Sequence, residues 1–337
     1  MTLSPKESAK LIARLAKHVI IEEEGVKNAA CSILEGLKDH SIHSGSFSQK
    51  DFHPKPDNPR AADWIFILDT LNFSFWVDEE SRRWTVNGQS GYFGLCTAIK
   101  KAIDAGIPII DPKYYSVIKK EEFEKIFLSD DGITKIPLIN ERVHNLHEAG
   151  QVLLKKYQGT FAECIKSCGR SAQKLLKLIV DEFESYRDEA DYQGYRVSFY
   201  KRAQILVGDI WACFKEKGLG EFNDIESITM FADYRVPQVL VHFGAMRYNN
   251  PFMDKLNSNI ELTNGSEEEV EIRGCSIEVV ERIRDEVKDL IQRYPDLKLK
   301  ESDVNSILID HFLWDYRRRH AEELDSIPYH KTRTIYY

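Results

Sequence analysis

The segment ESITMFADYRVPQVLVHF, residues 226–243, decides how we interpret the whole chain. An apolar run leads to one carboxylate, Asp233, which lies between the aromatic residues Phe231 and Tyr234. Pro237 then begins an amphipathic helix, because proline is favoured in the first turn of a helix. The pattern predicts an apolar segment followed by an acidic residue just before the first turn of a helix.

The carboxylate of Asp233 has two interpretations. It can cap the helix that begins near Pro237, because aspartate accepts hydrogen bonds from the N–H groups of a first turn. It can instead bind a flat heterocycle, whose ring stacks on Phe231 while Asp233 accepts hydrogen bonds from ring N–H groups. The segment by itself does not decide between these roles.

Composition limits the class of protein. The 337 residues are 42% hydrophobic, which is enough for a sizeable core, and the formal net charge is -8. Direct binding of nucleic acid is therefore not expected, because contact with a phosphate backbone needs a basic surface. No uncharged run reaches the roughly 18 residues of a membrane span, so we expect no membrane partner.

The cysteines and the first residues indicate the compartment. Only Cys164 and Cys168 lie close in sequence, and without a matching His or Cys pair they do not predict a zinc site. The N-terminus carries no apolar signal core. We expect a cytoplasmic protein, with a nuclear location left open, and neither a metal nor an organic cofactor.

Helical periodicity dominates the chain, and we predict one compact, mainly α domain over residues 1–337. Helices are predicted at 4–18, 25–37, 91–106, 120–128, 138–157, 160–167, 171–183, 200–217, 237–247, 250–256, from a cap at Ser276 onward, and 302–324. The acidic, polar segment 258–271 is predicted to be an exposed excursion.

One small β-hairpin is predicted in the most aromatic block of the chain, residues 62–77. Residues 72–76 alternate with period two, 78–83 have the composition of a turn, and 83–86 form the expected partner strand. The predicted fold class is therefore mainly α, as a multi-helix domain with one hairpin.

Lys201 lies at the predicted start of a helix. The N-terminus of a helix favours anions, so a lysine there makes a candidate phosphate site. The alternative is that Lys201 and Arg202 are solvated, or paired with Asp181 or Glu182.

The segment IDHFLWDYR, residues 309–317, holds another candidate acid. Asp315 follows His311 by four residues and so shares its helical face, with Tyr316 beside it. An acid among apolar side chains is either paired with a cation or has a pKa that its environment shifts. The alternative is an ordinary helical ion pair with His311 or Arg319.

Several longer segments resemble a known family. They are DTLNFSFW (69–76), VSFYKRAQIL (197–206), SITMFADYRVPQVL (227–240), EVEIRGCS (269–276), LWDY (313–316) and the terminal IYY (335–337). Together they closely resemble the queuosine salvage proteins, which are queuosine 5′-phosphate N-glycosylase/hydrolases. The resemblance extends from the first predicted helix to the last residue.

This resemblance implies an enzyme that cleaves the N-glycosidic bond of queuosine 5′-monophosphate and frees queuine for reinsertion into tRNA. It also implies a fold like that of the helix-hairpin-helix DNA glycosylases, acting here on a free nucleotide. The partner is then a small molecule, and we expect a monomer.

The resemblance and the chemistry together suggest roles for five residues. Cleavage of a ribosyl C–N bond passes through an oxocarbenium-like transition state, which a carboxylate stabilises. Asp315 is assigned this role, with Tyr316 beside the substrate. Phe231 would stack the 7-deazaguanine ring, Asp233 would bind its N–H edge, and Lys201 would hold the 5′-phosphate. The roles of the two acids could be exchanged.

Two alternatives remain open from the sequence. The chain could act on a different modified or ordinary purine nucleotide. It could also be a non-catalytic helical protein that binds queuine or tRNA without cleaving a bond.

Overall fold

The computed structural model describes residues 2–79 and 82–337, and helices dominate them. The helices are α1 Pro5–Leu15, α2 Glu23–Lys38, α3 Ala61–Thr70, α4 Gly91–Asp104, α5 Pro112–Tyr115, α6 Lys120–Ile126, α7 Ile139–Lys156, α8 Phe161–Ser167, α9 Ala172–Glu182, α10 Lys201–Cys213, α11 Val236–His242, α12 Asn250–Asn257, α13 Glu267–Arg293, α14 Ser306–Arg319 and α15 Ala321–Leu324. The prediction of a mainly α protein is confirmed. The likeness to helix-hairpin-helix glycosylases stays a prediction.

The strands of the described residues form three small antiparallel sheets of two strands each. They are β1 Val19–Ile21 with β6 Met246–Tyr248, β2 Thr85–Val86 with β3 Gln89–Ser90, and β4 Glu189–Tyr192 with β5 Tyr195–Ser198. Strand structure is therefore present at more places than the single predicted hairpin.

The predicted hairpin of residues 72–76 with 83–86 is wrong. Residues 72–76 form no strand; they follow helix α3 as irregular, largely buried chain. Arg142 explains why this chain needs no partner strand, because its guanidinium donates to the carbonyl oxygens of Leu71 and Phe73. In the second predicted strand, Thr85–Val86 pairs with β3 instead. The predicted turn at 78–83 includes residues 80 and 81, which lie outside the described residues.

The described chain divides into two compact units. The first contains the residues up to His43 together with Asp188–Lys201 and Ile228–Arg333. The second contains Ser44–Arg187, Arg202–Ser227 and Thr334–Tyr337. The chain alternates between the units, and a single domain over the full length stays a prediction.

Helix α13 is the central element of the first unit. Every residue from 269 to 281 is buried, including charged ones, so the predicted exposed excursion at 258–271 is wrong from residue 269 onward, and its residues from 267 belong to the helix. Buried charges must be paired, and the carboxylate of Glu271 accepts the backbone N–H groups of Lys17 and His18. Ser276 caps nothing, since its hydroxyl donates to a carbonyl inside the helix.

A glycine lets α13 approach α1 closely. A Cβ atom at Gly274 would lie 2.5 Å from the side chain of Ile12, which is closer than real Cβ atoms come to other atoms. Ile12 itself is fully buried. Packing of α1 on α13 therefore depends on the missing side chain at this position.

The predicted final helix, 302–324, is two helices in the structure. Helix α14 begins after Asn305, whose side chain accepts the N–H of Leu308 at 2.9 Å, and it ends before His320. The short α15 follows. Among the described residues, no helix is long and apolar enough to cross a membrane.

In the second unit, α7 packs against α3, α5 and α6. The rings of Phe66 and Phe161 stack with centroids 4.6 Å apart and are fully buried. Arg202 is buried here as well and donates to the carbonyl oxygens of Thr70 and Ser185. The alternative that Arg202 is solvated is therefore wrong, because its guanidinium is buried and donates to backbone carbonyls.

Candidate functional site

The turn before α11 fixes Asp233. One oxygen of its carboxylate, Oδ1, accepts the N–H of Arg235 at 2.9 Å and the N–H of Val236 at 2.8 Å. These are donors that the first turn of a helix leaves without an intrahelical partner. Asp233 thus caps the turn that leads into α11, whereas the N-cap position of the helix itself is Arg235, which makes no side-chain capping bond. Since capping uses Oδ1 alone, Oδ2 is available for other contacts.

A buried acid that the sequence analysis overlooked, Asp310, lies beside this turn. It sits in the first half of α14, its residue is 5% exposed, and its Oδ2 accepts the N–H of Phe231 at 2.9 Å. Burial raises the pKa of Asp310 well above its ordinary value, and the nearby charge of Asp233 raises it further. Asp310 therefore has a strong preference for the neutral form.

Lys201 lies near both of these acids. Its side chain is almost completely buried, and its positive charge lowers the pKa of both carboxyls, against the burial that raises the pKa of Asp233 and of Asp310. The backbone N–H of Lys201 donates to Asp188 at 3.0 Å. We call Asp233, Asp310 and Lys201 the carboxylate cluster; all three belong to the first unit.

The two acids of the carboxylate cluster are in different electrostatic environments. Asp233 receives two backbone N–H bonds and is only partly buried by its accessible surface, so it is the easier one to ionise. Asp310 receives one and is deeper. Interacting acids release their protons in two separate steps, and in such a pair one carboxyl keeps its proton to a higher pH than the other.

Phe231 contributes its backbone N–H group, which donates to Asp310, to this site. Its residue is only 2% exposed, and its ring lies 6.3 Å from the ring of His311. Burial lowers the pKa of His311 to about 4, so this imidazole is neutral near neutral pH. Stacking of a base on Phe231 stays a prediction.

Asp315 lies on a different side of α14. It follows Asp310 by five residues, which corresponds to a rotation of about 140° around the helix. Burial lowers the pKa of Arg318, and the carboxylate of Asp315 opposes that shift. The structure thus brings Asp315 to Arg318, whereas Asp310 faces Asp233. The catalytic assignment of Asp315 stays a prediction.

Tyr316 belongs to a second group of side chains at the C-terminal end of α14. Its hydroxyl lies 3.1 Å from Nε2 of His242, and its ring stacks on that of His320 with centroids 4.1 Å apart. Glu323 lies 3.7 Å from His242 and 3.8 Å from His320. We call these four residues the tyrosine cluster. Contact of Tyr316 with a substrate stays a prediction.

Another group has the donor atoms of a metal site. His18, Glu267 and Glu271 place one donor atom each within 4.8 Å of one another. The ammonium of Lys17 lies 3.0 Å from Glu267, and Glu271 accepts several protein hydrogen bonds, including one from the hydroxyl of Tyr192. These protein donors account for the arrangement without an ion.

Sequence reasoning overlooked Asp310 because Asp315, in the same predicted helix, lies between the aromatic residues Trp314 and Tyr316 and drew attention first. Asp310 directly follows three apolar residues, Ile307, Leu308 and Ile309, and an acid at such a position is a signal for a buried carboxyl. Asp188 and Arg273 gave no local signal, because they meet through the fold across 85 residues of sequence.

Comparison with known proteins gives one family. The family model described as queuosine salvage protein matches residues 52–337 of this chain. All of the carboxylate cluster lies within the matched residues.

Individual relatives match over nearly the full length. The queuosine 5′-phosphate N-glycosylase/hydrolase of Mus musculus is 44% identical over 339 residues, which cover 99% of this chain and 99% of the relative. The protein of the same name from Nematostella vectensis is 41% identical, with 99% and 98% covered. That from Sphaerobacter thermophilus is 37% identical over 292 residues, with 86% and 85% covered.

Proposed function

The chain belongs to the queuosine salvage protein family, and we propose that its carboxylate cluster cleaves the N-glycosidic bond of queuosine 5′-monophosphate. It is an enzyme, a nucleotide N-glycosylase/hydrolase that releases queuine for salvage into tRNA. The observation that carries the site assignment is that Asp310 is buried against the turn that carries the partly accessible Asp233, with the buried Lys201 near both acids.

Asp233 is the carboxylate that we assign to the sugar. As the C1′–N bond breaks, its electron pair leaves with the base, and positive charge develops at C1′ and the ring oxygen. A fixed carboxylate stabilises this charge because its position is set before the reaction begins. The capping bonds to Oδ1 supply that fixed position, and Oδ2 is the oxygen available to the sugar.

Asp310 is the acid that we assign to the leaving base. Queuine is a 7-deazapurine, so protonation at N7 cannot assist its departure, and another atom of the base must receive a proton. A carboxyl whose pKa is raised well above its ordinary value by burial can donate one. Water then adds to C1′, and its proton restores the neutral carboxyl, leaving queuine and ribose 5-phosphate as products.

The remaining roles follow the family resemblance. Lys201 at the start of α10 would bind the 5′-phosphate, since a helix N-terminus and a lysine both favour an anion. Phe231 and Tyr316 would contact the base and the sugar. The substrate is a small-molecule nucleotide. A monomeric state, the lack of direct nucleic-acid binding, and a cytoplasmic location with a nuclear pool stay predictions.

The test is to incubate the purified full chain with queuosine 5′-monophosphate, queuosine and GMP, and to follow free base by chromatography and mass spectrometry. We expect queuine to be released from the monophosphate. Saturable binding of queuine without release from any of the three would support a non-catalytic carrier instead. Steeply salt-dependent binding of tRNA without release would support an RNA-binding protein.

Asp233→Asn is the matched site variant for this assay. An Asn side chain can still accept the N–H groups of Arg235 and Val236, so the helix cap is retained while the charge is lost. We expect kcat to fall about 10²-fold or more, as for other groups that stabilise charge in a transition state. An unchanged kcat would remove Asp233 from the chemistry.

A further inference from the structure

Arg273, a buried residue of α13, contacts two of the three chain segments that carry the carboxylate cluster. Its guanidinium makes two hydrogen bonds to Asp188, of 2.9 Å and 2.6 Å, and both side chains are at least 96% buried. Its Nε donates to the carbonyl oxygen of Ala232 at 3.1 Å. Ala232 directly precedes Asp233, so the guanidinium fixes the backbone that carries this acid.

Asp188 in turn holds the segment that ends at Lys201. Its backbone oxygen accepts the N–H of Phe199 at 3.0 Å, and its Oδ2 accepts the N–H of Lys201 at 3.0 Å. Between them, Tyr200 has a φ of +50°, in the left-handed region that non-glycine residues rarely adopt. Strained backbone beside a functional group persists only where its surroundings enforce it, and Asp188 is one of the enforcing groups.

We propose that Arg273 and Asp188 are positioning residues for the glycosidic cleavage, and this rests on the function proposed above. Together they fix Lys201 relative to Asp233. The planar guanidinium is required because a single group must bind a carboxylate in two places and a carbonyl in a third direction. Glu269 at 3.5 Å and the ring of Phe199 at 4.3 Å further restrict its orientation.

The consequence is a requirement for arginine. Lysine keeps the charge but not the fork of donors, so it cannot make all three bonds at once. Lys201 and Asp233 would then move relative to each other, and a displacement of about 1 Å in an active site can cost about 10²-fold in rate.

The test compares Arg273→Lys with Arg284→Lys. Arg284 is on the same helix, is mostly buried and pairs with Glu281, but it makes none of the contacts to the carboxylate cluster described above. For each folded variant, kcat and KM are measured with queuosine 5′-monophosphate below its Tm. We expect kcat/KM of Arg273→Lys to fall about 10²-fold, with a lowered kcat, because both Asp233 and the phosphate-binding Lys201 are displaced, and Arg284→Lys to keep the wild-type kcat and KM.

A second readout distinguishes positioning from general destabilisation. When Asp233 moves away from the charge of Lys201, its pKa rises, because that charge lowers it in the native protein. The acid limb of the kcat profile should therefore move to higher pH in Arg273→Lys and stay in place in Arg284→Lys. An unchanged limb together with a wild-type kcat would overturn the inference.

Asp188→Asn covers the case in which Arg273→Lys does not fold. Its amide oxygen can still accept the N–H of Lys201, whereas the charge that binds Arg273 is lost. We expect kcat to fall here too, and a wild-type kcat in this variant would overturn the inference. If the wild-type chain itself released no queuine, the proposed function would fail first, so the two failures are distinguishable.

Discussion

Helix α14 carries two aspartates in two contrasting regions. Near its N-terminal end, Asp310 is buried against the turn of Phe231 and belongs to the carboxylate cluster. Near its C-terminal end, Asp315 is partly exposed beside Arg318 and close in sequence to the tyrosine cluster. Burial and the nearby charge of Asp233, and not the aromatic residues seen in the sequence, raise the pKa of Asp310.

The largest expected effect separates the two acids of α14. We expect Asp310→Asn to lower kcat about 10²-fold or more, because a general acid contributes at least that much. Asp315→Asn, as its matched control on the same helix, should keep kcat close to wild type. Steady-state release of queuine measures both. The reverse result would return the catalytic role to Asp315, as the family resemblance first suggested.

The next largest effect is expected for Lys201, and it is a difference between the phosphorylated and the unphosphorylated substrate. Lys201→Ala should raise KM for queuosine 5′-monophosphate about tenfold or more, since a hydrogen bond to a charged group is lost. At a pH above the acid limb of the kcat profile, turnover of unphosphorylated queuosine should change much less, because this substrate has no phosphate for Lys201 to bind. Equal losses on both substrates would show that Lys201 acts only on the carboxylates of Asp233 and Asp310.

A smaller effect is expected in the pH dependence of stability. Above pH 3.8, the ordinary pKa of an aspartate, the unfolded chain releases the proton of residue 310, whereas the native state retains it up to the raised native pKa. The native state then binds more protons, so this carboxyl makes the wild type less stable as pH rises through that window. The Asp310→Asn variant has no carboxyl at this position, so its stability does not fall with pH for this reason.

Thermal unfolding of Asp310→Asn and wild type should therefore diverge from about pH 4 upward, with the variant the more stable. His311 and His330, whose pKa values burial lowers to about 4 and about 3, are present in both proteins and cancel in the difference. The same measurement on Asp315→Asn serves as the control. A Tm difference independent of pH would contradict the buried, neutral state of Asp310.

The smallest effect is expected in the tyrosine cluster. Tyr316→Phe removes one hydrogen bond, to His242, at a partly exposed position, which costs about 1 kcal/mol or less of stability. We expect kcat to stay near wild type. A loss comparable to that of Asp310→Asn would show that the hydroxyl of Tyr316 takes part in the cleavage itself.

Local sequence signals predicted most of the helices but not the central one. Helix α1 begins after Ser4 and α4 begins at Gly91, as expected. Caps, glycines and apolar periodicity are signals from residues that lie close together in the sequence. Helix α13 was predicted to begin too late, since the acidic residues at its start indicate solvent exposure. Glu271 is buried only because distant backbone N–H groups satisfy its carboxylate.

Part of the candidate site could be predicted in the same way. The sequence alone directed attention to Asp233, Phe231 and Lys201, because each stands at a helix entrance or in an apolar run, which local patterns reveal. It could not tell that Asp310, and not Asp315, is buried against the turn of Phe231, because the pattern does not say which face of a helix is covered.

The sequence by itself determined a mainly α protein, its family and the chemistry of its candidate residues, since periodicity, caps and motifs are properties of neighbouring positions. Only the tertiary structure decided that Asp310 lies beside Asp233 and that Arg273 and Asp188 hold Lys201 in place. The reason is physical. A pKa and a bond geometry depend on desolvation and on groups tens of residues away, which come together only when the chain folds.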